Sequence, residues 1–134
     1  MVVFLDANIL FSASNDRSGL QRLVTYLAEN HKVISSNYAR DEAYRNVCAK
    51  RPAWLDAYGE LEKLVRFVSD IDVELEVEIA EKDRPILASA IAHKSDILLT
   101  GDKRDFSHLF GISVQGVKVL SPAMLVDQLK DEGS

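Results

Sequence analysis

Asp83-Arg84-Pro85-Ile86-Leu87-Ala88-Ser89-Ala90-Ile91-Ala92-His93-Lys94-Ser95-Asp96-Ile97-Leu98-Leu99-Thr100-Gly101-Asp102 is the stretch that decides the fold. Asp83 is a good helix N-cap and Pro85 suits a first turn, so a helix is predicted over 83–94. Ile97-Leu98-Leu99 is too short and too continuously apolar for a helix and reads as a central strand. A helix feeding a fully apolar strand is part of a parallel unit with both sheet faces covered.

The same alternation extends in both directions. Residues 2–5 (Val-Val-Phe-Leu) read as a buried strand ending at Asp6. Leu20, Leu23, Val24 and Leu27 form the i, i+3, i+4, i+7 stripe of a helix over 17–30. Lys32-Val33-Ile34-Ser35 is a second strand, and Ser36 or Asn37 caps a helix to about Lys50, before Pro52. Leu55, Tyr58, Leu61, Leu64 and Val65 repeat the helical stripe over 53–67. Ile71, Val73, Leu75, Val77 and Ile79 alternate with acids, which predicts a strand with one wet face at the sheet edge, or in part an extended connection. Val117–Leu120 is a last strand, and Ser121-Pro122 opens a helix to about Lys130. The pattern predicts one α/β domain over 1–134, a three-layer α/β/α sandwich around a mostly parallel sheet.

Composition sets bounds on function. At 134 residues, 47% hydrophobic and 28% charged, the chain has enough apolar content for an unstapled core. One cysteine, Cys48, excludes an internal disulfide. With no apolar run approaching ~20 residues, the chain reads as soluble and cytoplasmic. A net charge of −5 argues against a general nucleic-acid coat. Basic residues nevertheless collect at Arg40, Arg45, Lys50 and Arg51, and again at Lys103-Arg104, either as solvated faces or as phosphate-steering groups.

Four acids stand where such a sheet would gather them. Ligands bind beyond the carboxyl ends of parallel strands. Asp6 ends the first strand and Asp102 lies just past the central one. Asp83 starts a helix running antiparallel to that strand, so it lies at the same end. Glu42 sits in the second turn of the helix leaving strand two, with Asp41 as the alternative acid. Two carboxylates ~6 Å apart at an effective dielectric of ~20 repel by roughly 3 kcal/mol. Six such pairs cost on the order of 10 kcal/mol, comparable to the stability of a domain. Protonation or a cation must relieve this, and hard oxygen donors favour Mg²⁺ or Mn²⁺. Two such ions can activate water and stabilise the leaving oxygen of a phosphodiester, so hydrolysis without a protein nucleophile is expected.

These residues also match a family pattern. Phe4-Leu5-Asp6-Ala7-Asn8-Ile9-Leu10 resembles the opening motif of PIN-domain ribonucleases. Asp83–Ala88, Ile97–Asp102 and Asp105-Phe106 resemble their C-terminal signature, and Gly116–Pro122 fits as well. Glu42 falls where the family has its second acid. The resemblance covers essentially the whole chain and implies an α/β/α sandwich, Mg²⁺- or Mn²⁺-dependent endoribonuclease activity on RNA, and homodimers. Many short members resemble VapC-type toxins neutralised by a small antitoxin protein.

Around the four acids, several residues have two readings each. Asn8 either holds Asp6 or the attacking water, or forms a turn. Thr100 either orients that water or finishes its strand, while Gly101 is expected to permit a close backbone approach. Asp105 is either a further metal-site acid or the cap of a short 106–110 turn. Ser12 and Ser14 read as loop residues, Trp54 as a packing residue, and His31, His93 and His108 as structural or exposed. Two rival functions are weighed. A haloacid-dehalogenase-like phosphatase would use Asp6 and Asp102, but it needs a second acid where Asn8 stands. A non-catalytic protein-binding module has no need to hold four repelling acids together.

Overall fold

The computed structural model describes residues 1–132. Its sheet has six strands in the order β3-β2-β1-β4-β6-β5. In chain order the elements begin with β1 (Val2–Leu5), α1 (Ala7–Ala13), α2 (Gly19–Asn30), β2 (Lys32–Ser36) and α3 (Asn37–Lys50). Next come α4 (Leu55–Glu62), β3 (Arg66–Val68), α5 (Arg84–Ala92) and β4 (Ile97–Leu99). The chain closes with α6 (Lys103–Phe106), β5 (Ser113–Val114), β6 (Val117–Leu120) and α7 (Pro122–Glu132). β1, β2, β3, β4 and β6 pair in parallel, and β5 pairs antiparallel with β6.

The crossovers β1→β2→β3 run one way along the sheet, and β3→β4→β6 run the other. Right-handed connections therefore place α1–α4 on one face and α5 on the opposite face. The buried residues form a continuous core across both faces, with Phe4, Leu5, Leu98 and Leu99 fully enclosed at the centre. This is the expected α/β layering.

Local chemistry starts the helices. Ser18 accepts from the N–H groups of Leu20 and Gln21, which fixes the first turn of α2. Ser36 accepts from Ala39 N–H and caps α3. α3 buries Ala39, Ala43 and Val47, small residues at i, i+4 and i+8 that let it pack closely on α1.

Three expectations need correction. Helix 53–67 is instead a 3₁₀ turn (Pro52–Trp54), α4, and then strand β3, whose residues pair with Ile34–Ser36. The helical stripe runs past α4's end, but sheet pairing wins over periodicity at Arg66–Val68. The predicted edge strand over 71–79 forms no ladder. Leu75, Val77 and Ile79 pack on the core while Ile71 is exposed, and the segment is a strap that carries the chain from the β3 edge to the β5–β6 hairpin. Side chains satisfy its backbone in place of a ladder. Ser89 Oγ accepts from Ile71 N–H (3.1 Å), and Gln115 Oε1 accepts from Glu76 N–H (2.9 Å). His93 and His108 lie 2.8 and 2.9 Å from the carbonyls of Ser69 and Glu78, which gives these two histidines the structural role expected of them.

The third correction is α1, a helix where loop residues were expected. It includes Ser12, and Ser14 closes it, donating to Leu10 O at 2.8 Å. Strand β5 was not among the expected elements. It returns through Gln115-Gly116 at φ 49° and 92°, a two-residue turn with both central residues in the left-handed region. Among the described residues, no helix is long and apolar enough to cross a membrane.

Candidate metal centre

At the carboxyl ends of β1 and β4 a cavity of about 200 Å³ is lined by Asp6, Ala7, Asn8, Phe11, Glu42, Asn46, Lys50, Lys82, Asp83 and Asp102. All four acids expected to meet do so here. Asp6 arrives because β1 ends at Leu5, and its own N–H donates to Leu99 O at 3.0 Å, stitching the two strand ends together. Glu42 projects beside the buried Ala39-Ala43-Val47 face of α3, whereas Asp41 is exposed. Glu42 is therefore the acid at the cavity. Asn46 and Lys50 follow it at i+4 and i+8 along the same side of the helix.

Asp6 is buried and tightly held. Oδ1 accepts from Ala7 N–H at 2.7 Å. Oδ2 accepts from the Thr100 hydroxyl at 2.7 Å and from Asn8 Nδ2 at 3.2 Å. Asn8 Oδ1 in turn accepts from Gly101 N–H at 2.9 Å, and Thr100 Oγ1 accepts from Asp102 N–H at 3.1 Å. Asn8 and Thr100 thus clamp Asp6 and set the entry to Asp102. Gly101 has an ordinary φ, and a Cβ there would meet Asn8 Oδ1 at 3.5 Å, a normal contact, so no close approach demands glycine.

Asp102 caps α6, with Oδ1 accepting from Asp105 N–H at 3.1 Å. Asp105 is therefore inside this four-residue helix, not the cap of a later turn. One carboxylate oxygen from each of Asp83, Asp102 and Asp105 lies within 4.8 Å of the other two. Asp105 consequently belongs with the acids. Asp83 is buried, and its Oδ2 accepts no hydrogen bond among the described residues. A 3₁₀ turn (Glu81–Asp83) rather than side-chain capping delivers it to the head of α5.

Burial governs the charges. It pushes the Asp6 carboxyl up to about 6, against the lowering effect of the Thr100 and Ala7 hydrogen bonds and with Glu42 and Asp102 adding repulsion. Burial, then repulsion from Asp6 and the bond to Asp105, raises Asp83 to about 7. The Lys82 ammonium, 3.1 Å from Asp105 Oδ2, holds the Asp105 carboxyl below the usual carboxylate range. The repulsion expected from the sequence thus shows in the raised Asp6 and Asp83 carboxyls, and Lys82 offsets part of it at Asp105.

This donor set fits a hard divalent cation. Three carboxylate oxygens converge, a fourth acid is clamped beside them, and one buried oxygen has no donor. A larger cavity of about 380 Å³ lies under the strap, lined by Asp70, Ile71, Asp72, Glu81, Arg84, Pro85 and Ser89. Its acids are exposed, and Asp70 is engaged by Tyr38 N–H at 3.1 Å, so it lacks such a set.

Of the basic residues, Arg40 pairs with Glu62 and lies over the Phe67 ring at 4.8 Å, while Arg51 lies 5.6 Å over Trp54. Both serve local packing, as does Trp54, 5.3 Å from the Phe11 ring. Lys50 faces the cavity. Lys103 and Arg104 are exposed on α6, next to Asp102 but outside the cavity lining. Sequence reasoning missed Asn46 and Lys82. The i+4 spacing from Glu42 to Asn46 to Lys50 was a signal for the first; adjacency to Asp83 was the sole one for Lys82.

No family model matches the chain, and no curated protein matches it. Among solved structures, it is similar to a chain in the crystal structure of VapBC2 from Rickettsia felis bound to a DNA fragment from their promoter. The TM-score is 0.67 at 16% identity, covering 90% of this chain and 98% of that one. At that identity the likeness establishes the fold, and it is the fold that the motif resemblance implied.

Proposed function

We propose that this chain is a Mg²⁺- or Mn²⁺-dependent endoribonuclease that hydrolyses single-stranded RNA with water as the nucleophile. The observation that carries the reading is the convergence of Asp83, Asp102 and Asp105 oxygens within 4.8 Å beside the clamped Asp6. Asp6, Glu42, Asp83 and Asp102 would hold the cation, with Asp105 as a further donor. When bound, such ions supply Lewis-acid activation of water and of the scissile phosphate. The chain's own residues do the rest. Thr100 and Asn8 fix Asp6 in one orientation, so the site is preorganised. Asn46 and Lys50, on the same side of α3 as Glu42, offer a hydrogen-bonding group and a positive charge at the cavity wall. Lys103 and Arg104 steer the approaching phosphate backbone from the rim.

A phosphatase with Asp6 as nucleophile is disfavoured, because Asn8 stands where that mechanism needs an acid to protonate the leaving group. A small antitoxin partner is supported by the likeness in fold to a chain from VapBC2 and by the motif resemblance, which also implies a homodimer. Copurification of the product of a small gene immediately upstream tests the partner.

The test of the activity is cleavage of an unstructured RNA with Mn²⁺, with Mg²⁺ and with chelator. Cleavage is expected with either metal, none with chelator, and none by the folded double variant Asp6→Asn/Asp102→Asn. Undiminished cleavage by that variant would overturn the assignment.

A further inference from the structure

We infer that Lys82 is a built-in counter-ion of the acidic site: its ammonium balances Asp105 in the metal-free protein and must leave before a divalent cation takes that carboxylate. The inference rests on the metal reading above and concerns how the cation is admitted. Lys82 Nζ lies 3.1 Å from Asp105 Oδ2, an oxygen that is buried and has no hydrogen bond of regular geometry among the described residues. Asp105 is one of the three acids whose oxygens converge, and Lys82 lines the same cavity as the other two, Asp83 and Asp102. The ammonium therefore answers, as a charge, the group that a cation would use.

The geometry lets it move. The backbone of Lys82 is anchored, since the Tyr38 hydroxyl donates to its carbonyl at 3.1 Å and the 3₁₀ turn continues into α5. Its side chain, in contrast, is 62% exposed, so the stem can swing to solvent without disturbing the core. A pair whose ammonium is this exposed is a weak competitor. A single positive charge yields to a doubly charged ion that several carboxylates bind at once, but it weakens that binding by whatever the pair contributes. Lys50, on the other side of the cavity, has no such contact with the acids and is not expected to compete in this way.

The experiment is a calorimetric titration of Mn²⁺ into metal-free protein at pH 7.5, without RNA, for the wild type, Lys82→Gln and Lys82→Arg. Lys82→Gln is expected to bind Mn²⁺ about threefold to tenfold more tightly than the wild type, while Lys82→Arg stays close to it. In an Asp105→Asn background the Lys82→Gln gain should vanish, because the carboxylate in competition is gone. A structural role for Lys82 would not tighten metal binding. Equal or weaker affinity in folded Lys82→Gln, with the wild type binding normally, would overturn the inference and leave the metal site standing. Absence of Mn²⁺ binding by every variant would overturn both. Cooperative melting of each variant verifies folding, and Lys82→Met replaces Lys82→Gln if the latter melts below the assay temperature.

Discussion

Two second-row residues, Thr100 and Asn8, decide how the acids behave. Neither brings an acid of its own, but both hold Asp6, and Thr100 also receives Asp102 N–H. Thr100→Val keeps the volume and removes the hydroxyl. It is expected to weaken Mn²⁺ binding by roughly tenfold or more, as outer-shell losses do. The accompanying loss of stability in urea should be about 1–2 kcal/mol. The carboxyls at about 6 (Asp6) and about 7 (Asp83) also set a pH dependence. Each binds its proton more tightly folded than unfolded, so between about pH 4 and 7 the native state carries more protons. Stability from these two groups is therefore greatest at the acid end of that window and falls as pH rises through their folded values. In chelator, the unfolding free energy read from urea melts should fall by an amount on the order of 2 kcal/mol between pH 5.5 and 8, and Asp83→Asn should flatten the slope. Saturating Mn²⁺ should reverse the trend, because the ion binds the charged forms.

At the scale of elements, the strap over 69–80 distinguishes what a sequence can and cannot disclose. Its period-two pattern placed Leu75, Val77 and Ile79 inward but failed at Ile71, and alternation of this kind is shared by a ladder and a strap. What separates them is the long-range requirement that the chain cross from the β3 edge to bring β4 beside β1, and no local signal carries that. Ser89→Ala removes the buried Oγ that holds Ile71 and should accelerate hydrogen exchange over 69–80, while the global unfolding energy changes by about 1 kcal/mol. Uniform exchange in both proteins would contradict this role. Ser36→Ala, which removes the cap of α3, should cost ~1 kcal/mol in the urea melt. Asp6, Asp83 and Asp102 were legible because strand ends and a helix start have fixed positions in a parallel sheet. Glu42 followed from helix geometry. Asp105 was ambiguous because α6 begins one turn earlier than the expected turn, giving the capping role to Asp102. Lys82 was illegible, since the direction of a 3₁₀ turn decides which neighbour of Asp83 reaches the cavity.

For the molecule as a whole, the sheet is a device for bringing carboxylates from distant parts of the chain to one edge. The continuous core beneath, with Phe4, Leu5, Leu98 and Leu99 fully enclosed, holds that edge against the repulsion it creates. Without a cation, the repulsion falls on the raised Asp6 and Asp83 carboxyls, and Lys82 offsets part of it at Asp105. A divalent cation held by these acids would relieve the repulsion. Anomalous diffraction from crystals grown at neutral pH with Mn²⁺ tests it most directly. A strong Mn²⁺ peak is expected between Asp83, Asp102 and Asp105, absent from Asp83→Asn crystals. A clean map at that position with millimolar Mn²⁺ present, or a peak that survives Asp83→Asn unchanged, would contradict it.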